Sequence, residues 1–275
     1  MLVRYINLRS ASGRRTALET NVQKLPPGQW ALQRFEAFDA AHVQCRQMPG
    51  RLSDPEKACF LSHRSLLAEM LQSGNPQPFM VWEDDVLVGH SAYEAVASFA
   101  VQATPDSWDI LYTDLIVPDL GSMLELMVRS RQLRSRREVE VLDLKDRSFA
   151  GASAYMVNPK SLRRVVALLQ GFERLDEPVD LSLRRFIHQG ILKGCALFPF
   201  LTTVSDASLQ SQIQPDSTSG TDLAWTLFRR LMWMECEVEE LYPMCNRLSS
   251  LHPDPESSVM GVITAALISP QFKPK

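Results

Sequence analysis

Short apolar runs alternate with segments of helical periodicity along most of the chain. Val3–Leu8 is dominated by β-branched and large apolar residues, which predicts a buried strand, and Leu18 and Val22 follow it at helical spacing. Ser10 or Ser12 is expected to cap that first helix. Further apolar strands are predicted over Trp30–Phe38, Phe79–Trp82, Trp108–Tyr112, Ser153–Val157 and Cys195–Leu201. Strands that alternate with helices predict an α/β fold, with a mainly parallel central sheet flanked by helices.

The clearest helix start lies at Ser53. That serine offers an N-cap, Pro55 stands in the first turn, and Glu56 completes a capping box. The helix is expected to run to about Leu71 and to stop before Gly74-Asn75-Pro76. Other helices are predicted over Tyr93–Val101, the middle of Thr113–Glu138, Pro159–Gln170, a segment that begins near Asp180, and Asp222–Leu241 after the polar break Gln214–Gly220.

Composition narrows the class of protein. A chain of 275 residues with 45% hydrophobic content can bury a sizeable core, as one large domain or two small ones. The net charge of -3 gives no general attraction for nucleic acid, so no such partner is expected. No apolar run approaches the roughly 18 residues that span a bilayer, and Met1–Leu8 turns polar too soon for a signal peptide.

The five cysteines suit a reducing compartment and predict a cytoplasmic protein. They are scattered, odd in number and without a CxxC pair, which argues against both a zinc cluster and a disulfide framework.

Three adjacent acids, Glu83, Asp84 and Asp85, follow the apolar strand Phe79–Trp82 directly. Their mutual repulsion requires a compensating cation or full exposure to water. Ligands of parallel sheets bind beyond the carboxyl ends of the strands, where these acids are expected to lie. Mg²⁺ or Mn²⁺ prefers oxygen ligands and is readily shared with phosphates, so this run is a candidate metal site. The alternative interpretation is a solvated junction between strand and loop.

A histidine follows on the helix that begins after Ser53. His63 shares one helical face with Cys59, Leu66 and Met70, because these positions are three or four residues apart. His63 is therefore expected to point toward the sheet. The alternative is an ordinary buried histidine without a role in chemistry.

The order of these segments resembles glycosyltransferase family 25, which includes bacterial lipooligosaccharide galactosyltransferases and animal collagen galactosyltransferases. The resemblance rests on Tyr5–Leu8, Arg14-Arg15, Phe35–Asp39, Ala58–His63 and Val81–Val86, and downstream on Gly151–Val157 and Pro178–Asp180. It covers roughly residues 2–215. The chain departs from the family pattern at Glu56-Lys57-Ala58, where Glu-Ile-Gly is common, and at Arg9-Ser10, where an aspartate is common.

The resemblance implies a GT-A-like nucleotide-sugar-binding domain, which is expected over residues 1–220. It does not reach residues 221–275, which are expected to form a helical extension packed on that domain. It implies an inverting, metal-assisted transfer of a hexose, galactose or another, from a UDP-sugar. The implied acceptor is a lipooligosaccharide, another surface glycan or a lipid-linked oligosaccharide. The expected location is the cytoplasm, with peripheral contact at the inner face of the cytoplasmic membrane.

The resemblance also implies roles for individual residues. Glu83 and Asp85 would hold Mn²⁺ or Mg²⁺, with Asp85 as the direct ligand. Asp180 is the first candidate for the base that activates the acceptor, and Asp114 is the second; the alternative for Asp180 is an ordinary helix N-cap. The residues expected to bind the donor are Asn7, Arg14, Arg15, Ser62, His63, Glu83 and Asp84. The alternative for both arginines is a solvated helix face.

The same sequence features are compatible with two other functions. The chain could be an inactive, transferase-like binding or adhesion module, or a metal-dependent phosphohydrolase built around the same acids. Two further segments are expected to be structural. The basic cluster Arg129–Arg137 is interpreted as a solvated helix or loop, although it could meet acceptor phosphates. The aromatic and basic segment Trp225–Met234 is interpreted as core packing, although it resembles a membrane-surface helix.

Overall fold

The computed structural model describes residues 1–42, 46–74, 77–209 and 220–250. The strands are β1 Leu2–Asn7, β2 Ala31–Glu36, β3 Phe79–Glu83, β4 Val86–Val88, β5 Ile110–Tyr112, β6 Glu140–Asp143, β7 Ala154–Val157, β8 Gly194–Phe198 and β9 Thr202–Val204. The helices are α1 Ser12–Gln23, α2 Asp54–Gln72, α3 Ala92–Gln102, α4 Leu120–Arg136, α5 Leu162–Gln170, α6 Val179–His188, α7 Gly220–Leu231 and α8 Tyr242–Ser250. Short 3₁₀ helices cover Asp206–Leu209 and Val238–Leu241.

A seven-stranded sheet in the order β2-β1-β3-β7-β5-β8-β6 forms the centre of the fold. β1 is parallel to both β2 and β3, and β5 is parallel to β8. β7 runs antiparallel to β3 and β5, and β6 runs antiparallel to β8, so β7 and β6 alone oppose the other strands of this sheet. The predicted α/β class with a mainly parallel sheet is confirmed. β4 and β9 pair separately as an antiparallel ribbon.

Helices cover both faces of the sheet because its buried strands are apolar on both sides. Along β3, Phe79 and Val81 belong to one hydrophobic cluster, and Met80 and Trp82 belong to the other. This alternation is the two-residue period of a strand. Side chains of α2, α4, α5, α6, α7 and α8 pack in the first cluster, and side chains of α1 and α3 pack in the second.

The start of α2 follows the sequence prediction closely. The backbone N–H of Ser53 donates to Glu56 Oε2 over 2.9 Å, and Pro55 lies in the first turn. The helix ends at Gln72, one residue beyond the predicted Leu71. The start of α1 was predicted wrongly, because Ala11 occupies the N-cap position and neither Ser10 nor Ser12 does.

The long helix predicted over Asp222–Leu241 is also wrong in length, since α7 ends at Leu231. The chain turns there because Phe200 and the segment after α7 bond to each other. The N–H of Phe200 donates to Met232 O over 2.9 Å, and the N–H of Met234 donates to Phe200 O over 2.7 Å. The predicted break Gln214–Gly220 is described only at Gly220, where α7 begins. Residues 75–76, 214–219 and 251–275 and Cys45 lie outside the described residues.

Candidate active site

The acidic run lies at the carboxyl edge of the sheet, as the sequence predicted. Glu83 ends β3, and Asp84 and Asp85 form the turn that leads into β4. Because β1 and β3 are parallel neighbours, Asn7 at the end of β1 lies beside the acids. This edge is where parallel sheets bind their ligands.

A cleft of about 250 Å³ opens at this edge. Its walls come from the ends of β1 and β2, from α1 and from α2. Its lining includes Arg14, Phe38, Cys59, Ser62, His63, Glu83, Asp84 and Asp85. Most of the predicted donor-binding residues therefore meet in one cavity.

Asp84 is held on both carboxylate oxygens. Asn7 Nδ2 donates to Oδ2 over 2.7 Å, and Arg14 Nε lies 2.9 Å from Oδ1. Arg34 Nε donates to Asn7 Oδ1 over 2.9 Å, so the amide of Asn7 is itself fixed. Burial raises the pKa of Asp84, and the charge of Arg14 and the hydrogen bond from Asn7 offset part of that rise. Asp84 thus frames the site through contacts within the protein.

Asp85 is buried and only half satisfied. Arg14 Nη2 lies 2.7 Å from Oδ2, whereas Oδ1 has no hydrogen-bond partner among the described residues. Burial and the charge of Glu83 raise the pKa of Asp85 to about 7, against the opposing charges of Arg14 and Arg229. A buried carboxylate oxygen without a partner is costly, and a bound cation would offset that cost. The oxygen donors of Asp85 and Glu83 therefore fit a hard divalent cation.

Glu83 faces His63 across the cleft wall. His63 Nε2 lies 3.4 Å from Glu83 Oε1, and His63 Nδ1 is 3.0 Å from the hydroxyl of Tyr155 on β7. Burial raises the pKa of Glu83, but the hydrogen bond and charge of His63, with Arg229 and Arg14, outweigh it and leave the pKa lowered. His63 is buried against the sheet, as its helical face predicted.

Ser62 shapes the wall of the cleft through bonds to backbone. Its hydroxyl donates to Ala58 O over 2.7 Å and accepts from the N–H of Phe38 over 2.9 Å. These two bonds tie the segment after β2 to α2.

The side chains of Arg14 and Arg15 point in different directions, a difference that the sequence did not predict. Arg14 points at the acids, whereas Arg15 Nε pairs with Glu19 over 3.0 Å on an exposed face. Arg15 is not among the residues that line the cleft. Neighbours on a helix point in different directions, so only one of the two can reach the site.

Asp114 is not placed to act as a base. Its side chain is 0% exposed, and Arg229 contacts both of its oxygens, with Nε 2.6 Å from Oδ1. Ser153 Oγ donates to Asp114 Oδ2 over 3.2 Å. Burial raises the pKa of Asp114, and the charge of Arg229 offsets part of that rise. Since its oxygens are enclosed, Asp114 anchors structure instead of meeting an acceptor.

Arg229 is the residue that sequence reasoning did not connect to the site. Its buried guanidinium contacts Ser153 as well as Asp114, and Ser153 O accepts from the N–H of Glu83 over 2.7 Å. Its positive charge also contributes to the lowered pKa of Glu83 and offsets part of the rise in the pKa of Asp85. The only local signal was an arginine among apolar neighbours such as Leu227 and Phe228, which is insufficient to name a partner.

Asp180 lies in the first turn of α6, where a helix was predicted to begin. The N-cap is Pro178, so the interpretation of Asp180 as an N-cap is wrong. Its Oδ2 accepts from the N–H of Gly151 over 2.8 Å. Asp180 does not line the cleft, but its charge is near enough to contribute to the raised pKa of Cys59, after burial and Glu83.

The two segments expected to be structural are used in packing and ion pairs. Arg129 pairs with Glu125 and Glu140, and Arg134 donates to Cys236 O over 2.7 Å. In the aromatic and basic segment, Phe228 is buried in the larger hydrophobic cluster. Within the described part of the chain, no helix is both long and apolar enough to cross a membrane.

A known protein family matches more than half of the chain. The sequence profile of glycosyltransferase family 25 (LPS biosynthesis protein) matches residues 2–183. The crystal structure of the galactosyltransferase LgtC, in complex with donor and acceptor sugar analogs, aligns with a TM-score of 0.39 and 11% identity, over 95% of this chain and 100% of that chain. The sequence has no significant match among curated proteins. The matched range includes the acidic run and Asp180 but leaves out Arg229.

Proposed function

We propose that this chain, which belongs to glycosyltransferase family 25 and is therefore a glycosyltransferase, moves a hexose from a UDP-sugar onto a surface glycan. Galactose is the sugar and lipooligosaccharide the acceptor that we favour, and a lipid-linked oligosaccharide is an acceptor of the same kind. The observation that carries the proposal is the acidic run in the cleft, where buried Asp85 keeps one oxygen without a partner among the described residues.

The donor diphosphate is proposed to bind beside Arg14. The guanidinium of Arg14 already spans Asp84 and Asp85, and its planar fork suits phosphate oxygens equally well. Asn7 keeps Asp84 in place whether or not Arg14 contacts a phosphate, because it bonds Asp84 independently. Arg15 contributes nothing to this arrangement.

Glu83 and Asp85 are proposed to hold Mn²⁺ or Mg²⁺. When bound, such a cation neutralises the negative charge that builds on the departing diphosphate. The chain's own residues prepare the site: Arg14 and Asn7 position Asp84, and His63 orients Glu83.

Asp180 is proposed as the base of an inverting transfer. One of its oxygens is fixed by Gly151, and Oδ1 makes no hydrogen bond within the described residues. A carboxylate so oriented can accept the proton of an acceptor hydroxyl that enters from the side of α6.

The domain division is also a proposal. Residues 1–220 would form a GT-A-like domain, with residues 221–275 as a helical extension packed on it. The buried residues Leu223, Leu227 and Phe228 support this, since they share a cluster with residues of the sheet. If the acceptor is lipid-linked, the protein would act at the inner face of the cytoplasmic membrane.

The proposal is tested by calorimetric titration of UDP, once with Mn²⁺ and once with EDTA. We expect Asp85→Asn to lose the Mn²⁺-dependent part of UDP binding while it remains folded. Asp106→Asn is the matched control, because that side chain is 89% exposed and pairs only with Lys160 in the described structure. A folded Asp85→Asn protein with unchanged metal-dependent affinity would overturn the assignment.

A second assay offers several UDP-hexoses with lipooligosaccharide as the acceptor. We expect sugar transfer, with the fastest rate from UDP-galactose. Phosphate release from simple esters without an acceptor would instead indicate a phosphohydrolase. Failure to bind any nucleotide would indicate a binding module.

A further inference from the structure

A second group of metal-ligand atoms lies on the wall of the cleft. Cys59 and His63 are one turn apart on α2, and Glu83 faces them from the end of β3. One ligand atom from each residue, a sulfur, a ring nitrogen and a carboxylate oxygen, lies within 4.8 Å of the other two. Two ligands at positions i and i+4 of a helix, completed by a carboxylate from elsewhere, are a recurring arrangement in zinc proteins.

The imidazole of His63 is already oriented for ligation. Nδ1 lies 3.0 Å from the hydroxyl of Tyr155, which leaves Nε2 turned toward Glu83 at 3.4 Å. Metal-binding histidines commonly fix their ring in this way, through a hydrogen bond on the other nitrogen. His63 and Tyr155 are both buried, so the ring has little freedom to turn away.

We propose that Cys59, His63 and Glu83 bind a thiophilic divalent cation such as Zn²⁺, with water from the cleft as the fourth ligand. Sulfur, nitrogen and oxygen ligands at tetrahedral positions are what Zn²⁺ prefers, with metal–ligand distances of about 2.0–2.3 Å. His63 Nε2 and Glu83 Oε1 are already 3.4 Å apart, and the side chain of Glu83 is 32% exposed, so it has room to adjust to an ion. Cys59 and Glu83 line the open cleft, which gives the ion a path of entry.

Binding requires the thiolate, so Cys59 releases its proton to solvent as the sulfur–metal bond forms. Burial, followed by the charge of Glu83, raises the pKa of Cys59 well above its usual value.

The site also has a consequence for catalysis, and this part alone rests on the proposed function. The carboxylate of Glu83 cannot fully coordinate Zn²⁺ beside His63 and the donor-site cation beside Asp85 at the same time. Zn²⁺ bound at Cys59 should therefore inhibit Mn²⁺-dependent sugar transfer.

The binding itself is tested without any substrate, with Co²⁺ as a spectroscopic probe of the metal-free protein. We expect one equivalent of Co²⁺ to produce a thiolate-to-cobalt charge-transfer band, with the visible bands of a tetrahedral ion, and Zn²⁺ to abolish both. Cys59→Ser should lose the charge-transfer band. Cys245→Ser, a partly buried cysteine on α8, is the matched control and should keep it. Absence of the band in the wild-type protein, or its persistence in Cys59→Ser, would overturn the site.

The inhibition is tested separately, by adding Zn²⁺ to a Mn²⁺-supported transfer assay. Zn²⁺ should lower the rate of the wild-type protein and of Cys245→Ser, and Cys59→Ser should resist it. Equal inhibition of all three proteins would remove the regulatory role. If the chain transfers no sugar at all, the cobalt titration still decides whether the metal site exists.

Discussion

Two buried aspartates near the same edge of the sheet are treated in opposite ways by the fold. Asp114 is 0% exposed and both of its oxygens contact Arg229, whereas Asp85 is 8% exposed and Arg14 holds one oxygen only. Burial raises the pKa of each. A buried charge that the protein satisfies completely has a structural role, whereas one left incomplete marks a place for a ligand. The comparison therefore supports Asp114 as an anchor and the proposed role of Asp85 in ligand binding.

The family match ends between Asp114 and the residue that pairs with it. Asp114 and Asp85 both lie within residues 2–183, but the partner of Asp114 is Arg229, beyond that range. Through Ser153, the same arginine is connected to the backbone of Glu83. The segment outside the family match thus helps to fix the acidic run.

The largest expected effect concerns Asp180, which we propose as the catalytic base in place of either buried aspartate. Asp180→Asn should lower turnover by about 10²–10⁴-fold, because it removes the basicity of the carboxylate while keeping its size. UDP affinity should be unchanged, because Asp180 is not proposed to bind the donor or its cation. Steady-state kinetics with saturating acceptor measure the first quantity and calorimetry the second. A rate close to that of the wild-type protein would exclude Asp180 as the base.

The next effect tests Asp114 as an anchor. Arg229→Met should lower the free energy of unfolding by about 3–5 kcal/mol, because it leaves a buried carboxylate without its partner. Urea denaturation measures the loss. Arg230→Met is the matched control. The side chain of Arg230 is 11% exposed, but its partner Asp206 is 79% exposed and stays hydrated when the pair is lost, so we expect a smaller loss, of about 1 kcal/mol. Similar losses in the two variants would contradict the anchoring role.

A smaller effect extends the comparison to the third carboxylate, Glu83. His63→Ala should lower the free energy of unfolding by about 1–3 kcal/mol, because it leaves the buried hydroxyl of Tyr155 unpaired. Denaturation of His188→Ala provides the control, since that exposed histidine contacts the carbonyl of Arg147 and the edge of the buried Phe149 ring but, within the described residues, no buried polar side chain. A fully stable His63→Ala protein with lost turnover would show instead that His63 acts directly in the chemistry.

The last prediction concerns pH. The pKa of Asp85 is about 7 in the folded protein and 3.8 is its ordinary value. Between these values the folded chain holds a proton that the unfolded chain has lost, so the contribution of Asp85 to stability falls as pH rises. In metal-free protein, the free energy of unfolding of the wild type, relative to Asp85→Asn, should therefore decrease across this window. A difference that does not change with pH would show that Asp85 is ionised throughout.

Regular elements were predictable where the local sequence decides the structure. The capping box at Ser53 and the apolar run of β3 were found because propensity and period point to the same answer. β4, β6 and β9 were missed because each becomes a strand only by pairing, β4 with β9 and β6 with β8. Val141 of β6 is 54% exposed, so the apolar residues of this edge strand do not all face the core.

The sequence by itself determined what is adjacent along the chain: three acids after a buried strand, and Cys59 and His63 on one helical face. Only the tertiary structure decided which charges meet. Arg14 reaches the acids and Arg15 does not, Asp114 meets Arg229 across 115 positions, and Glu83 joins the helix that carries His63. The reason is physical: Coulomb energy and desolvation depend on distance and burial in space, which no spacing along the sequence specifies.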